Sequence, residues 1–196
     1  MRKKIVALIC LLLAMAVLPA IVVGFSGHSP TANEKAETTD SAEKTVDNSD
    51  IICKNAAKIC SEDFCDEALR AALILVNTNY IIDKNSVDNS NFSSSKELIS
   101  KLKKIYNSVS ELYLSENNEV LSIPYSEISN GKTAQSEDYP YLYSVASPWD
   151  CFDENYDEDY ICVGVSMRGV NYLCENGYSA EDALLWYLPD FEVKKS

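Results

Sequence analysis

Residues 128–150 read ISNGKTAQSEDYPYLYSVASPWD. A polar turn, three alternating tyrosines and a Ser-Pro-Trp-Asp tetrapeptide stand close together there. Ser129-Asn130-Gly131 predicts a tight turn, because Asn and Gly tolerate the left-handed backbone that turns use. Tyr139, Tyr141 and Tyr143 share one face if their run is extended. Such a row can stack on sugar rings, and it serves as well to pack a core.

Upstream of this stretch, two strand-like runs bracket Asn117-Asn118 and predict a hairpin from about Glu111 to Tyr125. Before them, Leu98, Ile99, Leu102 and Ile105 recur at helical spacing, predicting a helix over 96–109. Residues 83–95, DKNSVDNSNFSSS, read as a loop. DEALRAALILVNTNYII, residues 66–82, is apolar from Ala68 to Val76 except for Arg70, the pattern of a deeply buried helix. Asp66, Arg70 and Asn77 fall on one narrow stripe of it. A further helix is expected over 51–61, with Ile52, Ala56, Ile59 and Cys60 as its apolar stripe. Downstream, Cys162 to Met167 reads as a short strand and Gly169 to Glu175 as a helix that Gly177 ends. Ser179 is the expected N-cap of a last helix, with Glu181 and Asp182 in its first turn, stopping before Pro189. Helices and hairpins without regular βαβ alternation predict an α+β fold.

The chain has 196 residues and a formal net charge of −13. Ile5 to Phe25 carries no charge and comes after Arg2, Lys3 and Lys4. That run is long enough to cross a bilayer, and the basic flank places the C-terminal bulk of the chain outside the cytoplasm. A cleaved signal peptide, with Ala14-Met15-Ala16 at the cut, is the other reading. Residues 1–25 are thus the expected anchor or signal. Residues 26–50, rich in Ser, Thr, Asp and Glu, form an expected disordered tether that holds His28, the only histidine. Residues 51–193 form the expected domain. From 51 to 196 there are 24 acidic and 12 basic side chains. That balance argues against nucleic acid as a partner and leaves a neutral or weakly charged polymer open. DENYDEDY at 153–160 lacks the spacing and the glycine of a calcium loop and reads as a solvated loop.

Six cysteines lie beyond the apolar run, at 53, 60, 65, 151, 162 and 174. Three readings stand: up to three disulfides, a zinc site built from Cys and carboxylates, and free buried thiols. No CxxC pair occurs, and the domain has no histidine, so no metal ligand set is assigned.

Four segments, in order, resemble the stage II sporulation protein D family, SpoIID/LytB. DEALRAALILVNTNY resembles the family's DEALKAQALAARTY-like helix. YSEISNGKTAQSEDYPYLYSVASPWD resembles its serine-asparagine-glycine turn and subsequent PYLxSVxSPWD, the most specific match. VGVSMRGVNYLCENGYSAEDALLWYLPDFEV resembles the family's GHGVGMSQYGA-containing ending. ICSEDF resembles the segment ending in the SEMP motif. The resemblance implies a single compact extracytoplasmic domain behind a transmembrane helix. It implies a peptidoglycan lytic transglycosylase that acts on glycan strands stripped of stem peptides during engulfment. Its implied partners are those strands, the membrane and stage II sporulation proteins P and M.

In such an enzyme one carboxyl group protonates the glycosidic oxygen. It then takes the proton from the sugar's 6-hydroxyl, so that a 1,6-anhydro ring closes. The resemblance assigns that role to Glu62. It assigns Arg70 as a cleft charge, and Tyr125, Ser129, Asn130 and Gly131 as glycan contacts. The departures are specific. Asp63 stands where the family has methionine-proline, Asn77 replaces an arginine, and Val163 replaces the histidine of GHGVGMSQ. Valine neither donates nor accepts a proton. The family's zinc ligands have no counterparts, so no cofactor is expected. A glycan- or partner-binding domain that has lost catalysis is the alternative function, and an anchored structural domain is the second.

Overall fold

A computed structural model describes residues 48–84 and 95–196. The expected anchor, most of the tether and most of the 83–95 loop lie outside the described residues. The described residues form one compact unit. In chain order it holds α1 (Asn48–Ala56), α2 (Asp66–Ile82), α3 (Lys96–Val109), β1 (Leu112–Glu116), β2 (Tyr125–Ser126) and β3 (Thr133–Ala134). A 3-10 turn at Pro148–Phe152 comes next, then β4 (Cys162–Val163), β5 (Val165–Ser166), α4 (Met167–Glu175), α5 (Ala180–Tyr187) and β6 (Phe191–Lys195). The described part mixes helices with short strands.

The centre is α2. Ala68, Leu69 and the run from Ala71 to Val76 are all fully buried. Its neighbours α1, α3, α4, α5 and β1 pack around this stretch, which explains why it is apolar at nearly every position. Helix α3 is the opposite case, burying Leu98, Leu102 and Val109 and turning its lysines to solvent. Ser95 caps it by accepting from the Leu98 N–H, at 3.1 Å. Helix α1 stops at Ala56, five residues short of the expected end. There the backbone tightens, with Lys58 N–H bonding Asn55 O and Ile59 N–H bonding Ala56 O. Such i→i−3 bonds close a last 3-10 turn rather than extend an α-helix.

The expected 111–125 hairpin forms only at its turn. Asn117 and Asn118 both take positive φ, 50° and 69°, and Glu116 and Glu119 exchange backbone hydrogen bonds. Among the described residues no second arm pairs beyond that. Instead β1 pairs antiparallel with β6, Leu112 opposite Lys195 and Glu116 opposite Phe191. The would-be second arm is taken by α2: the Asn79 amide bonds both the N–H and the C=O of Ile123, each at 2.8 Å. Asn77 similarly donates to the carbonyls of Ser110 and Leu112 and so fixes the start of β1.

The expected strand over 162–167 is broken at Gly164, which takes φ +81°. A Cβ there would sit 2.1 Å from the Pro124 carbonyl oxygen. The two pieces pair parallel with different partners, β5 with β2 and β4 with β3. This crossing brings residues 125–134 beside 162–168. The tyrosine row is not a strand. Tyr139 and Tyr141 meet edge to face at 6.2 Å, Tyr141 leans on Phe191, and Tyr143 is exposed.

Candidate functional site

The stretch from Ile128 to Asp150 folds back on itself around Asp150. Thr133 N–H bonds Val145 O, and Ser147 N–H bonds Gly131 O, so the tight turn and the Ser-Pro-Trp-Asp tetrapeptide lie side by side. Asp150 is only 2% exposed. Its Oδ2 accepts from the Ser129 N–H at 3.0 Å and the Ser129 hydroxyl at 2.5 Å. It also accepts from Ser147 Oγ at 2.9 Å and Ser166 Oγ at 2.7 Å. Three serines from three segments thus converge on one carboxylate oxygen. Ser166 also caps α4, accepting from the Gly169 N–H. Ser147 and Tyr187 share a 2.7 Å hydrogen bond that ties the cluster to α5. Burial pushes the Tyr187 hydroxyl well above its usual range. The other oxygen, Asp150 Oδ1, is buried and has no hydrogen-bond partner among the described residues.

Asp150 lies at a cleft of about 270 Å³. Trp149 and Phe152 of the 3-10 turn line it together with Arg168, Asn171, Tyr172 and Glu175 of α4. Asp63 and Asp153 complete the lining. Trp149 stacks on Tyr172 at 5.1 Å and 8°, and tilts against Trp186, which meets Tyr178 edge-on. Tyr172, Tyr178 and Trp186 are each about two-fifths exposed, and Phe152 is 90% exposed. Gly169 makes the cluster fit. A Cβ there would lie 1.9 Å from Tyr187 Oη and 2.7 Å from Trp149 Nε1.

Among the described residues Arg168 is the only basic side chain lining the cleft, and carboxylates share it. It reaches Asp63 at 3.4 Å, Glu127 at 3.3 Å and Asp153 at 3.6 Å. The guanidinium also lies over the Phe64 ring. A hydrogen bond from Ser61, with Arg168 adding attraction, holds the Asp63 carboxyl below the usual carboxylate range.

The six residues assigned from sequence separate into groups. Ser129 and Gly131 join the Asp150 cluster, and Asn130 beside them donates to Glu158 O. Gly131 takes φ +95°, and a Cβ there would meet Cys151 Sγ at 2.7 Å, so glycine is required. Tyr125 is half-buried on β2, packed on the core, and burial raises its hydroxyl pKa. Glu62 is exposed in the α1–α2 connection, its carbonyl accepting from Lys101 Nζ. Its neighbour Asp63, not Glu62 itself, lines the cleft. Arg70 is occupied among helices, donating to Ser108 and pairing with Glu67 and Glu181. The Ser-Pro-Trp-Asp tetrapeptide set out Ser147 and Asp150 without assigning them, and Ser166, Arg168 and Tyr172 were passed over. The tetrapeptide was the available signal, because a Ser-x-x-Asp pair beside a proline is poised to turn inward.

Among the described residues no three His, Cys, Asp or Glu side chains are arranged to hold a metal ion. Among the described residues the six cysteines form no disulfide with one another. Burial raises Cys162 to about 11 and Cys174 to about 12. No helix of the described residues is long and apolar enough to cross a membrane. Comparison with protein-family models and with curated proteins finds no match to this chain.

Proposed function

We propose that this chain is a peptidoglycan-directed protein of the SpoIID kind. It holds denuded glycan strands at the outer face of the cell membrane during sporulation or wall remodelling. The supporting observation is the union of the Ser129–Gly131 turn with Ser147–Asp150 beside a cleft walled by Trp149 and Tyr172. Aromatic walls bind the apolar faces of sugar rings and need no positive charge, which suits an acidic domain. Stage II sporulation proteins P and M are the membrane partners under this reading.

Holding is favoured over cutting, because Glu62, the acid that the resemblance assigns, is exposed and does not line the cleft. A general acid must reach the scissile oxygen from inside the cleft. Lytic cleavage is the second reading, with Glu62 as the single acid/base. It is favoured only by the place of Glu62, next in chain to the cleft-lining Asp63. Glu62 would protonate the glycosidic oxygen and then accept the 6-hydroxyl proton, closing a 1,6-anhydro ring without water.

The test incubates the full chain with denuded glycan strands, beside Glu62→Gln. Binding is measured by sedimentation and sugar ends by mass spectrometry. Holding predicts co-sedimentation of both proteins and no anhydro ends. Anhydro ends made only by the unmodified chain would establish cleavage, and failure of both proteins to sediment with glycan would reject the reading.

A further inference from the structure

Two thiols from distant parts of the chain meet behind the cleft. Cys65 is the N-cap residue of α2, and Cys174 lies in the last turn of α4, 109 positions later. The helix ends that carry them are pinned together. The Cys65 N–H donates to Asn171 Oδ1 at 2.9 Å, and Asn171 stands one helical turn before Cys174 on the same face. The Ala180 N–H, at the start of α5, donates to Glu67 Oε2 at 2.9 Å. Between these ties the Cys65 and Cys174 side chains are hydrogen-bonding neighbours. Other thiols keep different company. Cys60 lies by Tyr125, Cys151 by Tyr156 and Cys162 by Ser126.

A pair of neighbouring thiols can help to hold a metal ion or can close to a disulfide. Glu67 and Glu181 are also near Cys174, yet among the described residues no three such side chains are arranged to hold an ion. A disulfide needs no third group. The two thiols are also unequal in the way that thiol–disulfide exchange uses. Cys65 is half-buried and open to an incoming reagent. Cys174 is 8% exposed, and burial, with Cys65 beside it, pushes its thiol up to about 12. A reagent from solvent therefore meets Cys65 first, while Cys174 is held next to the sulfur it would attack.

We infer that Cys65 and Cys174 are a disulfide-forming pair, closed by a disulfide donor into a covalent tie between α2 and α4. Cys65, as its thiolate, attacks the donor's S–S bond, joins one donor sulfur and releases the other as a thiol. Cys174 then gives up its proton and attacks Cys65 Sγ, and the second donor sulfur leaves as a thiol. The pair's two electrons open the donor's S–S bond, and its two protons end on the released thiols. Without a donor both thiols persist. The tie fastens the α1–α2 connection, whose Asp63 lines the cleft, to the helix that supplies Arg168 and Tyr172. It stands independently of any glycan.

The test equilibrates the full chain, kept reduced through purification in detergent, with oxidised glutathione at pH 8. The chain is then acid-quenched, unfolded, alkylated and mapped by peptide mass spectrometry. The inference predicts a Cys65–Cys174 cross-link in most molecules. The melting temperature should rise by about 10 °C, because the bond closes a long loop. Cys174→Ala should leave Cys65 carrying one glutathione, and Cys65→Ser should leave Cys174 a free thiol. Neither variant should show the rise. Recovery of both residues as alkylated thiols from the unmodified chain would overturn the inference. So would pairing of either with another cysteine, or a cross-link that does not raise the melting temperature.

Discussion

The helical layer and the cleft are ordered by different forces. In α1, α2 and α3 the order comes from apolar burial, with the α2 side chains from Ala71 to Val76 wholly out of water. From Tyr125 to Ser166 the strands are two residues long and the backbone is mostly turns. There the order comes from short polar side chains, three serines on one carboxylate oxygen and one tyrosine on a serine. Apolar packing tolerates volume-conserving exchange, whereas a buried polar cluster fails when one member is lost. A binding cleft on the second kind of ground is held in place by few residues, and each should matter.

Substitution can break that contrast. Asp150→Ala removes the buried acceptor of four hydrogen bonds, three of them from serine hydroxyls. It should cost about 4 kcal/mol and abolish glycan retention, read by thermal unfolding and sedimentation. Leu73→Ala in the fully buried α2 should cost about 3 kcal/mol, yet leave glycan retention intact at temperatures where the variant is folded. Equal loss of retention in both variants would mean that the two regions are not separable. Gly169→Ala sharpens the contrast. In an ordinary helix interior this exchange stabilises. Here the new Cβ meets Tyr187 Oη and Trp149 Nε1, so it should destabilise by about 2 kcal/mol, and a raised melting temperature would refute the packing described for α4.

The same contrast explains what could be read from the chain. The bounds of α2 were legible because a run that is apolar from Ala68 to Val76 except for Arg70 follows Asp66, and its middle is buried. The Asn117-Asn118 turn was legible because its geometry is local. The partner of β1 was not, because the segment after the turn is captured by Asn79, 44 residues earlier in the chain. The cleft was half legible. Ser129-Asn130-Gly131 and the Ser-Pro-Trp-Asp tetrapeptide stood out by composition. Nothing local indicates that Ser166 would cap α4 and bond Asp150 at once, or that Arg168 would gather Asp63, Glu127 and Asp153. Glu62 came from resemblance alone and Arg70 from a polar stripe on a buried helix, with resemblance supplying its role, and neither fixes where a side chain points.

The smallest expected effect concerns the thiols. Cys151 is exposed, whereas burial raises the pKa of Cys60, Cys162 and Cys174. Since the thiolate is the reactive form, alkylation of the native chain at pH 8 should label Cys151 first. The six described cysteines should all react once it is unfolded without reductant. Fewer than six would reveal a disulfide bridging these elements.

The most direct measurement of the central claim is retention of the full chain by denuded glycan strands, compared with Tyr172→Ala. Tyr172 lines the cleft, stacks on Trp149 and is 45% exposed. The account predicts that the unmodified chain is retained. Tyr172→Ala should bind about tenfold more weakly, roughly one stacking contact, with a melting temperature within a few degrees. Undiminished retention by Tyr172→Ala, or no retention of the unmodified chain, would contradict it.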